Sequence, residues 1–151
     1  MGLINFHPQS DALELAEVFT NPKLKAIANY GCCAFVALHI MGINGLVTNL
    51  KIIGNEIGKG LDDECTVLWY KFFENVSGKK IKIEYRDIKS LEELKDVNQC
   101  AVRFDYNGKS HWVYVSKGEI TYNPLKYSLC VDKGRPVTAR IIAFLCNQGE
   151  K

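Results

Sequence analysis

The sequence lacks the features that mark a membrane protein or a nucleic-acid binder. No apolar run approaches the ~20 residues that a helix needs to span a bilayer. Asn5, His7 and Asp11 stand where a signal peptide would need a long apolar segment. The net charge is only +2, and no dense block of lysine and arginine occurs. We therefore expect a cytoplasmic protein with neither a membrane partner nor a nucleic-acid partner.

Cysteine is plentiful, but its spacing does not suit a metal. The sequence contains no C-x-x-C pair, so we expect no metal site, and nothing else in it requires a cofactor. Because no signal peptide is predicted, the thiols are expected to stay reduced, as is usual in the cytoplasm. The six cysteines lie at positions 32, 33, 65, 100, 130 and 146.

Length and residue order indicate a single α+β domain. At 151 residues, with 47% hydrophobic and 24% charged residues, the chain can bury a full core, and no internal repeat divides it. Residues 1–9 are expected to be an irregular lead-in, residues 10–77 mainly helical and residues 78–145 mainly strands. A helical half followed by an antiparallel sheet is typical of the α+β class.

Apolar spacing and capping residues predict the helices. The stretch at 32–41 is apolar on every side, so we expect a central helix that begins at Cys32 and is buried against the sheet. A capping box at residues 90–93 predicts a shorter helix. Further helices are expected at 10–19 and at 46–59, and another is expected to begin at Asp62 or Asp63.

Strands are predicted for most of the second half. Ile81, Ile83 and Tyr85 alternate with charged residues at the period of a half-buried strand. Asn107-Gly108 is one of the strongest short hairpin signals. The later strands are expected at 100–106, 110–115, 119–122 and 137–145.

Cys32 stands at the predicted start of the central helix, directly after Gly31. The unpaired amide groups of a first helical turn and the positive end of the helix dipole favour the thiolate over the thiol. Alternatively, Cys32 packs as a small apolar residue, as buried cysteines usually do. Cys33 lies about 100° further around the helix, so only one of the two can face a given partner.

A histidine and an asparagine occur on two neighbouring predicted strands. His111 opens the strand His-Trp-Val-Tyr-Val, and Asn123 follows the next strand, just before Pro124. A three-residue loop at 116–118 would place His111 opposite Asn123, with Cβ atoms ~4.5–5.5 Å apart. A two-residue loop would pair His111 with Pro124 instead. In the first register the Asn123 side chain can orient the imidazole.

Together, Cys32, His111 and Asn123 have the residue types needed for nucleophilic acyl transfer. The histidine takes the thiol proton, the thiolate attacks a carbonyl carbon, and the asparagine holds the ring. Backbone N–H groups at the helix start, with Asn29 as a second donor, could stabilise the oxyanion. The alternatives are a packed strand histidine and a plain Asn-Pro turn. His39, within the central helix, is expected to be a core residue, and no role is predicted for His7 in the lead-in.

Two motifs carry a resemblance to a known superfamily. Gly-Cys-Cys-Ala-Phe at 31–35 resembles the nucleophile region of papain-like cysteine peptidases, and this match assigns the nucleophile to Cys32. His-Trp-Val-Tyr-Val at 111–115 with Tyr-Asn-Pro at 122–124 resembles the His and Asp-Pro region of the bacteriocin-leader type of these peptidases. Residues 28–144 look closest to a small uncharacterised family found in phage and plasmid contexts.

The resemblance implies a papain-like fold and a thiol hydrolase that acts on a peptide or a cell-wall amide bond without any cofactor. Trp112 is a candidate substrate-binding residue, but the sequence leaves open whether its ring lines a groove or packs in the core. Position 26 is Ala where the superfamily has the Gln of its oxyanion hole. A catalytically inactive binding protein on the same scaffold is therefore one alternative. A transglutaminase-like acyltransferase, which shares the Cys, His, Asp order, is another. A redox pair of Cys32 and Cys33 is disfavoured, because adjacent cysteines close only a strained ring.

Overall fold

A computed structural model describes residues 7–12, 27, 30–62 and 65–145. Its longer elements follow one another in the predicted order, helices first and strands later. The helices are α1 (Cys32–Ile40), α2 (Leu46–Glu56), α3 (Trp69–Ser77) and α4 (Leu129–Asp132), with a 3-10 helix at Leu91–Leu94. The strands are β1 (Ile81–Asp87), β2 (Cys100–Tyr106), β3 (Lys109–Ser116), β4 (Glu119–Tyr122) and β5 (Arg135–Phe144).

The five strands form one antiparallel sheet in the order β1-β5-β2-β3-β4. Alternate side chains of each strand face opposite sides, so the sheet separates two cores. Trp112 and Tyr114 of β3 pack into the core that contains α1 and α3. Val113 and Val115 of the same strand pack into the second core, beneath α4 and the 3-10 helix. The predicted α+β class is confirmed.

Helix α1 is buried because every side of it is apolar. All residues from Cys33 to Leu38 are buried, which is the environment that the continuous apolar run predicts. A Cβ atom at Gly31 would collide with the carbonyl oxygen of Ile27, so the chain can enter α1 this closely only at a glycine. The helix ends before Gly42, whose φ of 82° is left-handed.

The predicted start of the third long helix, at Asp62 or Asp63, is wrong. Helix α3 begins only at Trp69, because Leu61 and Val67 form a β-bridge that reverses the chain between them. Cys65, inside this reversal, has a left-handed φ of 62°, which a helix cannot contain. The Asp62 carboxylate accepts a backbone N–H four residues later, at 2.9 Å, so it caps a turn and not a helix.

Residues 8 and 9, within the predicted irregular lead-in, are helical. Residues 8–12 are helical, so this helix begins at Pro8, two residues before the predicted start, and proline suits a first helical position. The rest of the predicted helix at 10–19 lies outside the described residues. The backbone N–H groups of Gln9 and Ser10 donate to the carbonyl oxygen of Pro124, at 2.9 and 3.2 Å. The short helix at residues 8–12 is thereby joined to the loop after β4.

Candidate functional site

Cys32 lies at the first turn of α1 and borders a cleft of about 250 Å³. It is the one cysteine of the described residues that is partly exposed, since Cys33, Cys65, Cys100 and Cys130 are buried. The aromatic rings of Trp69 and Trp112 meet at one side of the cleft, with centroids 5.5 Å apart in an edge-on contact. The cleft is lined by Tyr30, Cys32, Cys33, Cys65, Thr66, Val67, Trp69, Ser110 and Trp112.

The Cys32 thiol is not activated in the way that its position at a helix start suggested. Burial raises the pKa of Cys32 above its ordinary value, because the thiolate is poorly solvated there. The backbone N–H groups of Trp112, Cys33 and Cys32 itself hydrogen-bond to the sulfur and lower its pKa, but they do not outweigh burial. The predicted helix-end effect is therefore present and is the smaller of the two influences.

His111 and Asn123 are joined by a short hydrogen bond. The His111 Nε2–H donates to Asn123 Oδ1 at 2.6 Å, and the same oxygen accepts the Leu125 backbone N–H at 3.0 Å. The Leu125 contact identifies this Asn123 atom as the oxygen, so Nε2 of His111 carries the proton. Nδ1 of the neutral ring then keeps its lone pair, as a general base requires.

The two residues meet through a register different from the one predicted. Ser116 pairs with Glu119, so the β3–β4 loop has two residues and not three. A bulge between Tyr114 and Val115 then shifts the pairing by one more residue. Tyr114 pairs with Tyr122, and continuing this register past the end of β4 would place Val113 opposite Asn123. His111 is therefore a diagonal neighbour of Asn123, which is still within reach of their long polar side chains.

Burial also sets the charge of the His111 ring. Its side chain is only 3% exposed, and burial lowers the pKa of His111 below its ordinary value of about 6.5. The hydrogen bond to Asn123 acts in the opposite direction and is the smaller influence. The imidazole is thus neutral at neutral pH. A neutral imidazole and a neutral thiol differ from the thiolate–imidazolium ion pair that a helix-end cysteine would favour.

Among the residues that the structure describes, Cys32 and His111 are not hydrogen-bonded to each other. They are linked only indirectly, through the backbone N–H of the residue that follows His111. The Trp112 N–H that reaches the Cys32 sulfur belongs to the residue next to His111. Strand N–H groups lie in the plane of the sheet, and β2 occupies the other side of β3. The sulfur therefore lies at the β3 edge that β4 leaves open beyond Tyr114. Strand alternation directs His111 to the face opposite Trp112, so the ring must lean across this edge to reach the sulfur.

One residue of the site was missed in the sequence. The His7 Nδ1–H donates to the backbone carbonyl oxygen of Asn123 at 2.8 Å. Ser10 Oγ accepts the Lys126 N–H at 2.7 Å, so the N-terminal segment binds the Asn123 loop on both sides of Pro124. His7, for which no role was predicted, therefore has a structural contact with the loop that contains Asn123. No local sequence signal could have shown it, because the two partners are 116 residues apart.

The remaining site predictions have mixed outcomes. Asn29, the predicted second oxyanion donor, lies outside the described residues. His39 is hydrogen-bonded as predicted but only half-buried: its Nδ1–H donates to Asn44 Oδ1 at 2.7 Å, and its ring stacks on Tyr122 with centroids 4.0 Å apart. Trp112 does line the cleft beside Cys32. Cys33 is buried, and burial raises its pKa well above the ordinary value, so it is a weak nucleophile.

Several features are absent from the residues that the structure describes. No helix there combines the length and the apolar character needed to cross a bilayer. No three histidine, cysteine, aspartate or glutamate side chains of residues 7–12, 27, 30–62 and 65–145 converge in a way that could hold a metal ion. The five cysteines in these ranges are free thiols.

Comparison with known proteins gives no further assignment. The chain matches no family model, no curated protein and no solved structure. The α+β architecture and the contacts of the site are therefore the basis for any functional conclusion.

Proposed function

We propose that the protein is a cysteine-dependent hydrolase of papain-like architecture that cleaves a peptide or a related amide bond. Cys32 is the nucleophile, His111 is the general base and acid, and Asn123 orients the histidine. The observation that carries the proposal is the 2.6 Å hydrogen bond from His111 Nε2–H to Asn123 Oδ1. His111 directly precedes Trp112, whose backbone N–H reaches the Cys32 sulfur.

Hydrogen bonding and burial support these roles in a stepwise mechanism. His111 Nδ1 takes the Cys32 thiol proton as the sulfur attacks the substrate carbonyl carbon, which avoids forming a thiolate in advance. The protonated ring then returns its proton to the leaving amine as the C–N bond breaks. Water, deprotonated by His111, hydrolyses the resulting thioester and frees Cys32. Catalytic hydrogen bonds are often long without substrate, so the His111 ring closes on the sulfur when the cleft is filled.

The oxyanion of the tetrahedral intermediate requires donors other than the Gln that the superfamily uses. The backbone N–H groups of Cys32 and Trp112 both point toward the sulfur, where the carbonyl carbon would be bound. We assign them as the two donors, since preorganised backbone N–H groups serve this purpose in other acyl-transfer sites. The rings of Trp112 and Trp69 would then hold the substrate chain along the cleft.

A second function, a binding protein on this scaffold, is favoured by two specific observations. Burial favours the thiol form of Cys32, and the side chain of His111 projects from the face of β3 opposite the cleft. If the ring does not cross the sheet edge, the cleft binds a peptide without cleaving it. Acyl transfer to an amine, the transglutaminase-like alternative, would use the same first half-reaction and differ only in the acceptor.

One experiment separates the three functions. The protein is mixed with p-nitrophenyl acetate, release of nitrophenolate is followed by absorbance, and acetylation of each cysteine is followed by peptide mass spectrometry. A hydrolase acetylates Cys32 and turns over in water. An acyltransferase turns over markedly faster when a primary amine is added, and the amine is acetylated. A binding protein reacts at Cys32 no faster than an ordinary thiol does.

The His111→Ala and Cys33→Ser variants are the matched tests of the assignment. We expect His111→Ala to slow acetylation of Cys32 by about 10²–10⁴-fold, the range for loss of a general base. Cys33→Ser should leave the rate within about twofold of the wild type, because Cys33 is buried and weakly nucleophilic. Equal Cys32 rates in the wild type and His111→Ala would rule out the proposed mechanism.

A further inference from the structure

Arg140 is a half-buried cation held on the cleft side of the sheet. Its guanidinium carbon lies 4.5 Å from the ring centroid of Tyr85 and 5.4 Å from that of Trp112, so it is flanked by two aromatic rings. Arg140 is on β5 and Trp112 on β3, with β2 between them. They can meet because the β2 residue opposite Arg140 is the small Ala101.

The guanidinium has few partners for its charge and its donors. Nη1 donates to Thr138 Oγ1 at 2.8 Å, while Nε is shielded from solvent and has no hydrogen-bond partner among the described residues. No carboxylate in these residues forms an ion pair with Arg140, whereas the neighbouring Arg103 is neutralised by Asp105 at 3.1 Å. The carboxylate of Asp87 attracts the guanidinium only from beyond ion-pair distance, so this half-buried charge would gain from a bound anion.

Arg140 lies close enough to Cys33 to influence the charge of that thiol. Its positive charge lowers the pKa of Cys33, although burial, which raises that pKa, is the larger influence. Trp112 links the two regions directly, because its ring contacts Arg140 and its backbone N–H reaches the Cys32 sulfur. Trp112 therefore contacts both the Arg140 guanidinium and the Cys32 sulfur.

We propose that Arg140, held between Tyr85 and Trp112, binds a carboxylate of the substrate and makes the cleft selective for acidic peptides. The carboxylate belongs to a Glu or Asp side chain, or to a chain terminus, next to the bond that Cys32 attacks. Arginine is suited to this because its planar fork donates two parallel hydrogen bonds to a carboxylate. The statement that a bond next to the carboxylate is cleaved rests on the proposed function. The binding of the carboxylate by Arg140 does not.

The test uses two isosteric probes that differ only in charge. Bromoacetyl-Glu-amide and bromoacetyl-Gln-amide each alkylate Cys32, and peptide mass spectrometry gives the rate constant of each reaction at that residue. We expect the Glu-to-Gln rate ratio in the folded wild type to exceed the ratio for the same cysteine in the urea-unfolded chain by about tenfold. This is the factor expected for one charge-assisted hydrogen bond. Equal ratios in the folded and unfolded protein would overturn the proposal.

Two arginine variants separate a local effect from the effect of net charge. Arg140→Gln and Arg103→Gln remove the same charge from the same face of the sheet, but Arg103 is already paired with Asp105. We expect Arg140→Gln to bring the rate ratio to the unfolded value and Arg103→Gln to leave it unchanged. Arg140→Lys retains the charge without the planar fork, so it should keep part of the selectivity. An equal loss in Arg140→Gln and Arg103→Gln would refute a specific site.

The two proposals can fail separately. Both probes require the same loss of the Cys32 thiol proton, so His111→Ala should slow the two alkylation rates alike and their ratio stays measurable. If His111→Ala does not slow acetylation of Cys32, the hydrolase proposal is wrong. If the Glu-to-Gln rate ratio persists in that variant, the anion-site proposal still stands. If the ratio is the same in the wild type and in a folded Arg140→Gln variant, the anion site fails and the hydrolase is unaffected.

Discussion

Replacing Asn123 with alanine should lower both the stability of the fold and the reactivity of Cys32. The change removes the oxygen that accepts the His111 Nε2–H at 2.6 Å and the Leu125 N–H at 3.0 Å. His111 is buried, so its N–H would lose its partner away from water, which costs about 1–3 kcal/mol. The half-buried Leu125 N–H adds about 0.5–1.5 kcal/mol. Together the two ranges give a loss of roughly 1.5–4.5 kcal/mol, which corresponds to about 3–18 °C in Tm.

The matched control is Asn44→Ala, which removes an acceptor from the half-buried histidine pair of His39 and Asn44. Asn44 Oδ1 accepts one hydrogen bond, from His39 at 2.7 Å, and lies outside the cleft. Its loss should cost about 1 kcal/mol. Urea unfolding gives the free energy for both variants, and acetylation by p-nitrophenyl acetate gives the Cys32 rate. Only Asn123→Ala should slow that rate, because only this variant frees His111 to rotate and change tautomer.

The tautomer of His111 provides an independent readout. Histidine ¹⁵N NMR should show a proton on Nε2 in the wild type and a mixture of tautomers in Asn123→Ala. Asn123→Asp keeps an acceptor in place and adds a negative charge, so it should retain the Nε2–H tautomer and raise the pKa of His111. If Asn123→Ala leaves the tautomer and the Cys32 rate unchanged, Asn123 does not orient the ring, and the assigned triad is wrong.

Three further predictions concern the buried histidines, the helix entry and the N-terminal segment. Burial lowers the folded-state pKa of both His39 and His111, so the unfolded chain binds more protons below about pH 6.5, and the unfolding free energy should fall as pH drops from there. Urea unfolding across this range should show a weaker slope in His39→Gln, and an unchanged slope would contradict the reasoning. Gly31→Ala should destabilise the protein by more than Gly42→Ala, because its Cβ would collide with backbone, whereas Gly42→Ala meets no atom and costs only the strain of a left-handed φ, about 1–2 kcal/mol. Thermal melts that rank the two variants the other way would contradict the close helix entry. His7→Ala should cost about 1 kcal/mol by urea unfolding, since it removes one hydrogen bond to backbone. No loss of stability would show that this contact contributes nothing.

Local patterns were sufficient to predict most of the sheet. The bounds of β2 and β4 are those expected from apolar alternation and turn residues, and the Asn107-Gly108 turn has both residues at positive φ. The buried helix α1 was equally predictable, because an apolar run leaves no solvent-facing side. Helix α4 was missed because its four residues carry too few apolar positions to show a period.

The contacts that build the candidate site were harder to predict, because they depend on a single-residue shift. The sequence could not show the bulge beside Tyr114, and without it the two-residue loop would have opposed His111 to Pro124. The predicted contact between His111 and Asn123 nevertheless exists, through a diagonal pairing. The contact of His7 with the Asn123 loop could not be predicted at all, since no periodic pattern links residues so far apart.

The pKa shifts of Cys32 and His111 indicate when the proton would move between them in the proposed mechanism. Burial raises the pKa of Cys32 and lowers that of His111, so the neutral pair is favoured over the ion pair before substrate binds. The proton should then move during the attack and not before it. Acetylation of Cys32 should therefore be slower in D₂O than in H₂O, whereas a preformed thiolate would show little solvent isotope effect. A rate that is the same in both solvents would show that the thiolate already exists, and that the backbone N–H groups at the helix start outweigh burial after all.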